Sequence, residues 1–82
     1  MDGETAADPR TVVGQRVREF RQVRQYSQEE LAARAGLHPT YISGIERGHR
    51  NVSVVNLYRL AAALDVSPGE LVPPLSHAAQ DT

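Results

Sequence analysis

The chain contains no cysteine, lysine or tryptophan and only four aromatic residues, three tyrosines and one phenylalanine. Without cysteine there is no disulfide scaffold, no thiol nucleophile and none of the usual structural zinc sites. No apolar run approaches the ~20 residues that a membrane-spanning helix requires. The opening MDGETAADPR is acidic and lacks the apolar stretch of a secretory signal, so a cytoplasmic protein is expected. No nucleophile–base set, phosphate-cradling glycine loop or ligand spacing for a metal is present, and neither an enzyme nor a cofactor is expected. The histidines, His38, His49 and His77, are too scattered to form a metal site. What is present is ordinary globular material: 82 residues, 40% hydrophobic and 23% charged, enough for one small domain.

The net charge of −1 conceals an uneven distribution. Residues 1–9 hold Asp2, Glu4 and Asp8. Residues 10–50 hold eight arginines against four glutamates. Residues 51–82 hold Arg59 against Asp65, Glu70 and Asp81. A basic middle between acidic ends is the electrostatic footprint of a polyanion binder. That every basic residue is arginine is equally consistent with a GC-rich genome.

The ends lack apolar periodicity. Residues 1–9 and 73–82 read as tails, leaving 10–72 to fold. A chain that short buries only ~60% of its unfolded surface, and a dimer interface would add stability. Strand signals are missing. The β-branched pairs Val12-Val13 and Val54-Val55 both lie inside 3.6-residue periods. Val13, Val17, Phe20 and Arg24 mark a first amphipathic helix over about 10–24. Ser27-Gln28-Glu29-Glu30 is a reciprocal capping pattern that opens a second helix with Leu31, Ala32 and Ala35 inward, ending at Gly36. His38 caps a third helix with Pro39 in its first position and Ile42 and Ile45 inward, closed by Gly48. Ser53 caps a fourth, with Val54, Leu57, Leu60, Ala61 and Leu64 on one face. Ser67-Pro68-Gly69-Glu70 starts a short fifth.

A glycine turn between two short helices, with small Ala32 one turn earlier, is the pattern of a helix-turn-helix whose second helix enters the DNA major groove. A plain helical hairpin is the alternative on these residues alone. The run YSQEELAARAGLHPTYISGIERGHRNVSVVNLYRLAAALDVSPGEL also resembles the Cro/repressor-type helix-turn-helix family, often called the xenobiotic-response-element family. The resemblance covers about residues 11–72. It implies an all-α, five-helix lambda-repressor-like DNA-binding domain, with the helix-turn-helix at about 27–47. Within that family, TYISGIERGHRN looks most like the controller proteins of restriction–modification systems, small dimers that regulate their own operon.

The resemblance implies site residues position by position. Ser27 and Gln28, at the start of the second helix, occupy a phosphate-binding place, where exposed amides suit an anion. Bases are read in the family from positions matching Pro39, Thr40, Ser43, Gly44 and Arg47. Pro39 and Gly44 depart from phage repressors, which often place glutamines there. Direct reading then falls to Thr40, Ser43, Arg47 and Arg50, with arginine able to bridge guanine O6 and N7. Tyr41, His49 and Asn51 are expected phosphate contacts. Tyr41 packed against the second helix, and Asn51 closing a turn, are the alternatives. Glu46 of the IERG motif is expected to pair with Arg21 or Arg18, fastening the recognition helix to the first.

The family's dimer surface lies on the last helices and matches Val55, Tyr58, Arg59, Leu71 and Val72, with Leu75 beside them. Packing within one protomer is the alternative for some of these. The expected partners are operator DNA and a second copy, with RNA polymerase added if the protein activates. A small-molecule ligand is not expected. A protein-interaction module, such as an antitoxin or a partner-regulated repressor, is the other class of function these features allow.

Overall fold

Each helix begins where a capping side chain meets an amide that its own helix cannot satisfy. The computed structural model describes residues 8–74; Leu75 and His77 lie outside that range. Within it the order is α1 (Pro9–Val23), α2 (Gln28–Ala35), α3 (Pro39–Glu46) and α4 (Val54–Leu64), followed by a 3₁₀ turn, Pro68–Glu70. The expected fifth helix is therefore a single turn. Buried Leu71 follows it directly, and Pro73-Pro74 beyond cannot continue a helix.

The caps follow the sequence with two changes. Ser27 Oγ accepts from the Glu30 amide at 3.0 Å, but the Glu30 carboxylate turns away to Arg34 at 3.0 Å rather than back to Ser27. Asp8 and Pro9, placed in the tail by the sequence reading, instead start α1. Asp8 Oδ1 accepts from the Arg10 amide at 2.9 Å. Ser53 caps α4 through the Asn56 amide at 3.1 Å, and His38 Nδ1 caps α3 through the Thr40 amide at 3.1 Å.

The α2–α3 turn shows why glycine is needed. Gly36 sits at φ 70°, and the Leu37 amide returns to the Ala32 carbonyl at 2.9 Å. Leu37 thereby folds back onto the core, the hydrophobic contact of a Schellman ending. Asp65 at φ 59° ends α4 in the same way, with the Val66 amide on the Ala61 carbonyl at 3.0 Å. Gln25, at φ 61°, follows α1.

One core joins all the elements. Val17, Leu31, Ile42, Ile45, Leu60, Leu64 and Leu71 have essentially no exposed surface. Each such side chain stabilises the fold by ~1.5–3 kcal/mol through burial. α1 packs on α3, and α2 packs on both α3 and α4. The fully buried residues of α4 are Leu60, Ala61 and Leu64, with Leu57 partly buried; Val54, expected inward, is 70% exposed in the first turn. Gly14 lies buried in the middle of α1, and a Cβ there would run into the Ile45 carbonyl oxygen of α3. That missing side chain lets the two helices touch backbone to backbone.

Candidate nucleic-acid interface

The third helix is short, and its two faces have separate duties. Ile42 and Ile45 fix it to the core. Thr40 and Arg47 are exposed, and Ser43 is half-exposed, on the opposite side. Arg47 Nη1 donates to Ser43 Oγ at 2.6 Å, so these two side chains stand together. Arg50, His49 and Asn51 are exposed in the loop that follows. Thr40, Ser43, Arg47 and Arg50 thus lie on one contiguous stretch of surface.

Behind this surface is an anchor. Arg21 Nε donates to Glu46 Oε2 at 2.6 Å and Arg21 Nη2 to Oε1 at 3.0 Å. Gln28 Nε2 adds a bond to Glu46 Oε1 at 3.1 Å, and Arg21 Nη1 donates to the Tyr26 carbonyl at 2.8 Å. The Glu46 side chain is only 4% exposed and that of Arg21 14%. The two-point pairing with Glu46 holds the Arg21 pKa above its usual value. One carboxylate therefore ties α1, the start of α2 and the end of α3 into one unit. The geometry selects Arg21 over Arg18. It also gives Gln28, matched in sequence to a phosphate-binding place, an internal bond.

The remaining phosphate candidates are differently placed. The Ser27 hydroxyl is used as a cap, while the residue itself is exposed. Tyr41 is half-buried, and its hydroxyl accepts from Asn56 Nδ2 at 3.2 Å. That leaves the phenolic proton free to donate. Sequence reasoning did not single out Asn56; its place in the first turn after the Ser53 cap was the available signal.

The basic middle of the sequence divides once it is folded. Arg10 pairs with Asp8, Arg24 with Asp65, Arg34 with Glu30 and Arg21 with Glu46. Arg16 Nη1 donates to the Glu70 carbonyl at 3.0 Å, and Arg24 Nε to the Leu64 carbonyl at 3.1 Å. Arg34 also lies over the Tyr26 ring. Among the described residues Arg16, Arg18, Arg47, Arg50 and Arg59 have no carboxylate partner, and of these Arg47 and Arg50 lie at the end of α3 and in the loop after it. They are the two arginines on the α3 surface.

The expected dimer surface needs one correction. Leu71 is fully buried in the protomer's own core, because the 3₁₀ turn folds it back onto α4. It is no surface for a second copy, and a charge there would unfold the domain. Val54, Val55, Tyr58 and Val72 are instead exposed apolar residues, at 70, 61, 60 and 38%. Arg59 is exposed on the same helix. Among the described residues no helix is long and apolar enough to cross a membrane.

A short helix, a left-handed glycine turn and a second helix with one anchored and one exposed face define a helix-turn-helix domain. The helix-turn-helix family model matches residues 17–71, and the chain belongs to that family. It is 48% identical over 64 residues to the control protein C.BamHI of Bacillus amyloliquefaciens, covering 77% of this chain and 79% of that one. The crystal structure of the restriction-modification controller protein C.AhdI from Aeromonas hydrophila is 52% identical. It superposes with a TM-score of 0.74 over 76% of this chain and 94% of that one. The structure of SinR, a master regulator for biofilm formation, in complex with DNA is 42% identical, with a TM-score of 0.70 over 72% and 95% of the two chains. The controller-like resemblance of TYISGIERGHRN is thus carried by relatives of similar length.

Proposed function

We propose that the protein is a homodimeric, sequence-specific transcriptional regulator that binds a roughly palindromic operator in the cytoplasm and controls its own operon. It acts by binding rather than by catalysis. The observation that carries this reading is the partition of arginines. Arg10, Arg21, Arg24 and Arg34 are neutralised by carboxylates, while Arg47 and Arg50, with no carboxylate beside them, stand with Thr40 and Ser43 at the exposed face of α3 and the loop that follows it. DNA-bound SinR and the two controller proteins support it by likeness.

In this reading α3 enters the major groove, Thr40, Ser43, Arg47 and Arg50 meet base edges, and Ser27, Gln28, Tyr41, His49 and Asn51 lie toward phosphates. Two copies joined through Val55, Tyr58, Arg59 and Val72, with Val54 added, place their α3 helices one helical turn, about 34 Å, apart. Activation would recruit RNA polymerase; repression needs no further partner.

The test is a gel-shift titration of the full chain on the duplex upstream of its own coding sequence, with scrambled competitor at two salt concentrations. The expected result is competitor-resistant binding in steps of two protomers, weakened by salt. Binding that scrambled DNA removes equally well overturns sequence specificity. One protomer per site at every concentration overturns the dimer. Val55→Glu with Tyr58→Glu is the dimer control, and is expected to sediment as a folded monomer with weakened operator binding.

A further inference from the structure

Gly44 is a departure in the middle of the reading face: a position that other repressors fill with a base-reading side chain carries none. The space is nonetheless filled. A Cβ built on Gly44 would come within 3.0 Å of Arg50 Cγ and 3.1 Å of Arg50 Nε. The Arg50 side chain therefore lies back across α3 at the place where a residue-44 side chain would begin. Its guanidinium carbon is 5.7 Å from the centre of the Tyr41 ring, within the range of a cation–π contact. The Tyr41 hydroxyl is held in turn by Asn56 Nδ2 at 3.2 Å. Tyr41 and Gly44 are three residues apart, so they are neighbours on one side of the helix.

We infer that Gly44 is a specificity-determining position because it is empty: Arg50 folds back from the loop and acts as the recognition-helix side chain that residue 44 lacks. Tyr41 supports the guanidinium from beneath, and Asn56 is a positioning residue that fixes Tyr41. The arrangement pre-orders an arginine that would otherwise sample many rotamers in an exposed loop, and binding then loses less side-chain entropy. The ligand is a guanine edge in the major groove, which arginine meets with two parallel hydrogen bonds. This inference rests on the operator-binding reading above and gives Gly44, Tyr41 and Asn56 their parts in it.

The experiment is a double-variant cycle on the operator that the wild-type full chain selects from a random-core duplex pool. Gly44→Ala, Arg50→Ala and the pair are compared for operator affinity, for the ratio of operator to scrambled duplex, and for melting temperature. Gly44→Ala is expected to lose roughly tenfold in operator affinity, and Arg50→Ala at least as much, each with the specificity ratio reduced. In the pair, Gly44→Ala is expected to add nothing to Arg50→Ala. Asn56→Ala, which keeps both the Tyr41 ring and its hydroxyl but removes the bond that fixes them, is expected to lose a few-fold in the presence of Arg50 and nothing in its absence.

Additive losses in the cycle would show that a methyl at residue 44 obstructs DNA directly and would overturn the coupling. An Arg50→Ala variant that binds like wild type would overturn the base-reading role. A wild-type chain that selects no sequence would instead overturn the operator-binding reading itself. The geometry has its own readout in free protein: NOEs from Gly44 Hα to Arg50 Hγ and Hδ are expected, and their absence contradicts the packing.

Discussion

The α1 side of the molecule and the α3 side are both rich in arginine, yet they use it in opposite ways. On the α1 side Arg10, Arg21 and Arg24 meet carboxylates, Arg16 meets a backbone carbonyl at the end of the 3₁₀ turn, and among the described residues Arg18 has neither. On the α3 side Arg47 is held by a neutral hydroxyl and Arg50 by an aromatic face, so both keep their full charge for a partner. The difference teaches that a segment's summed charge is a poor map of an interface. Three of the eight arginines in the basic middle, Arg16, Arg21 and Arg24, are mortar between elements, and a guanidinium group can meet a polyanion with its full charge only where no carboxylate already holds it.

The most severe way to break the comparison is to remove the anchor between the two sides. Glu46→Ala leaves Arg21 charged, mostly buried and without its counter-ion, and is expected to cost about 3–5 kcal/mol. Chemical denaturation measures it, and a wild-type midpoint would show the pair to be dispensable. Gly14→Ala attacks the same junction through shape. The added methyl meets the Ile45 carbonyl oxygen, α1 must lift from α3, and a loss of about 3 kcal/mol is expected.

Smaller changes separate the two sides. Arg47→Ala should lower operator affinity roughly tenfold, about 1.4 kcal/mol, and leave melting unchanged. Arg24→Ala should do the reverse. Its pair with Asp65 is largely exposed and is worth at most about 1 kcal/mol to stability, with operator binding untouched. Equal effects of both variants on affinity would erase the distinction. Gln25→Gly relieves a left-handed residue and is expected to raise stability by about 1 kcal/mol; thermal melting that moves downward would contradict this.

The smallest effect is set by pH. The Asp8 carboxyl receives the Arg10 guanidinium and the Arg10 amide, which lower its pKa from 3.8 to about 2. A group depressed in the folded state contributes its stability above the unfolded pKa. That contribution is complete above about pH 4 and is lost as pH falls through about 2. An NMR titration of the Asp8 carboxyl should show its inflection near 2; an inflection at the ordinary carboxylate value would mean that the cap does not hold.

Much of this was legible in the sequence, because capping chemistry is local. Ser27, His38-Pro39, Gly36 and Ser53 announced α2, α3 and α4 to within a residue, and Ile42, Ile45, Leu60 and Leu64 announced the core. Asp8-Pro9 carried the same cap-then-proline signal as His38-Pro39, but an acidic, aperiodic flank outweighed it. Position 25 and position 65 were less accessible. Glutamine and aspartate do not advertise a left-handed backbone as glycine does, and only tertiary packing imposes it. Leu71 was misplaced because an apolar residue near a chain end fits an interface and a core equally well. Gly14 was legible in principle, since an isolated glycine inside a helical period usually marks a close approach. The choice of Arg21 over Arg18, and the resting of Arg50 on Gly44 and Tyr41, depend on distances between separate elements that no spacing encodes.

The most direct test of the account is the operator affinity of two double variants of the full chain, measured side by side at one salt concentration. One removes the two carboxylate-free arginines of the α3 side, Arg47→Ala with Arg50→Ala; the other removes two paired ones, Arg24→Ala with Arg34→Ala. The account predicts a loss of roughly a hundredfold for the first and less than about threefold for the second. Equal losses would show that DNA responds to the summed charge of the domain and would contradict the assignment of the interface to the exposed face of α3.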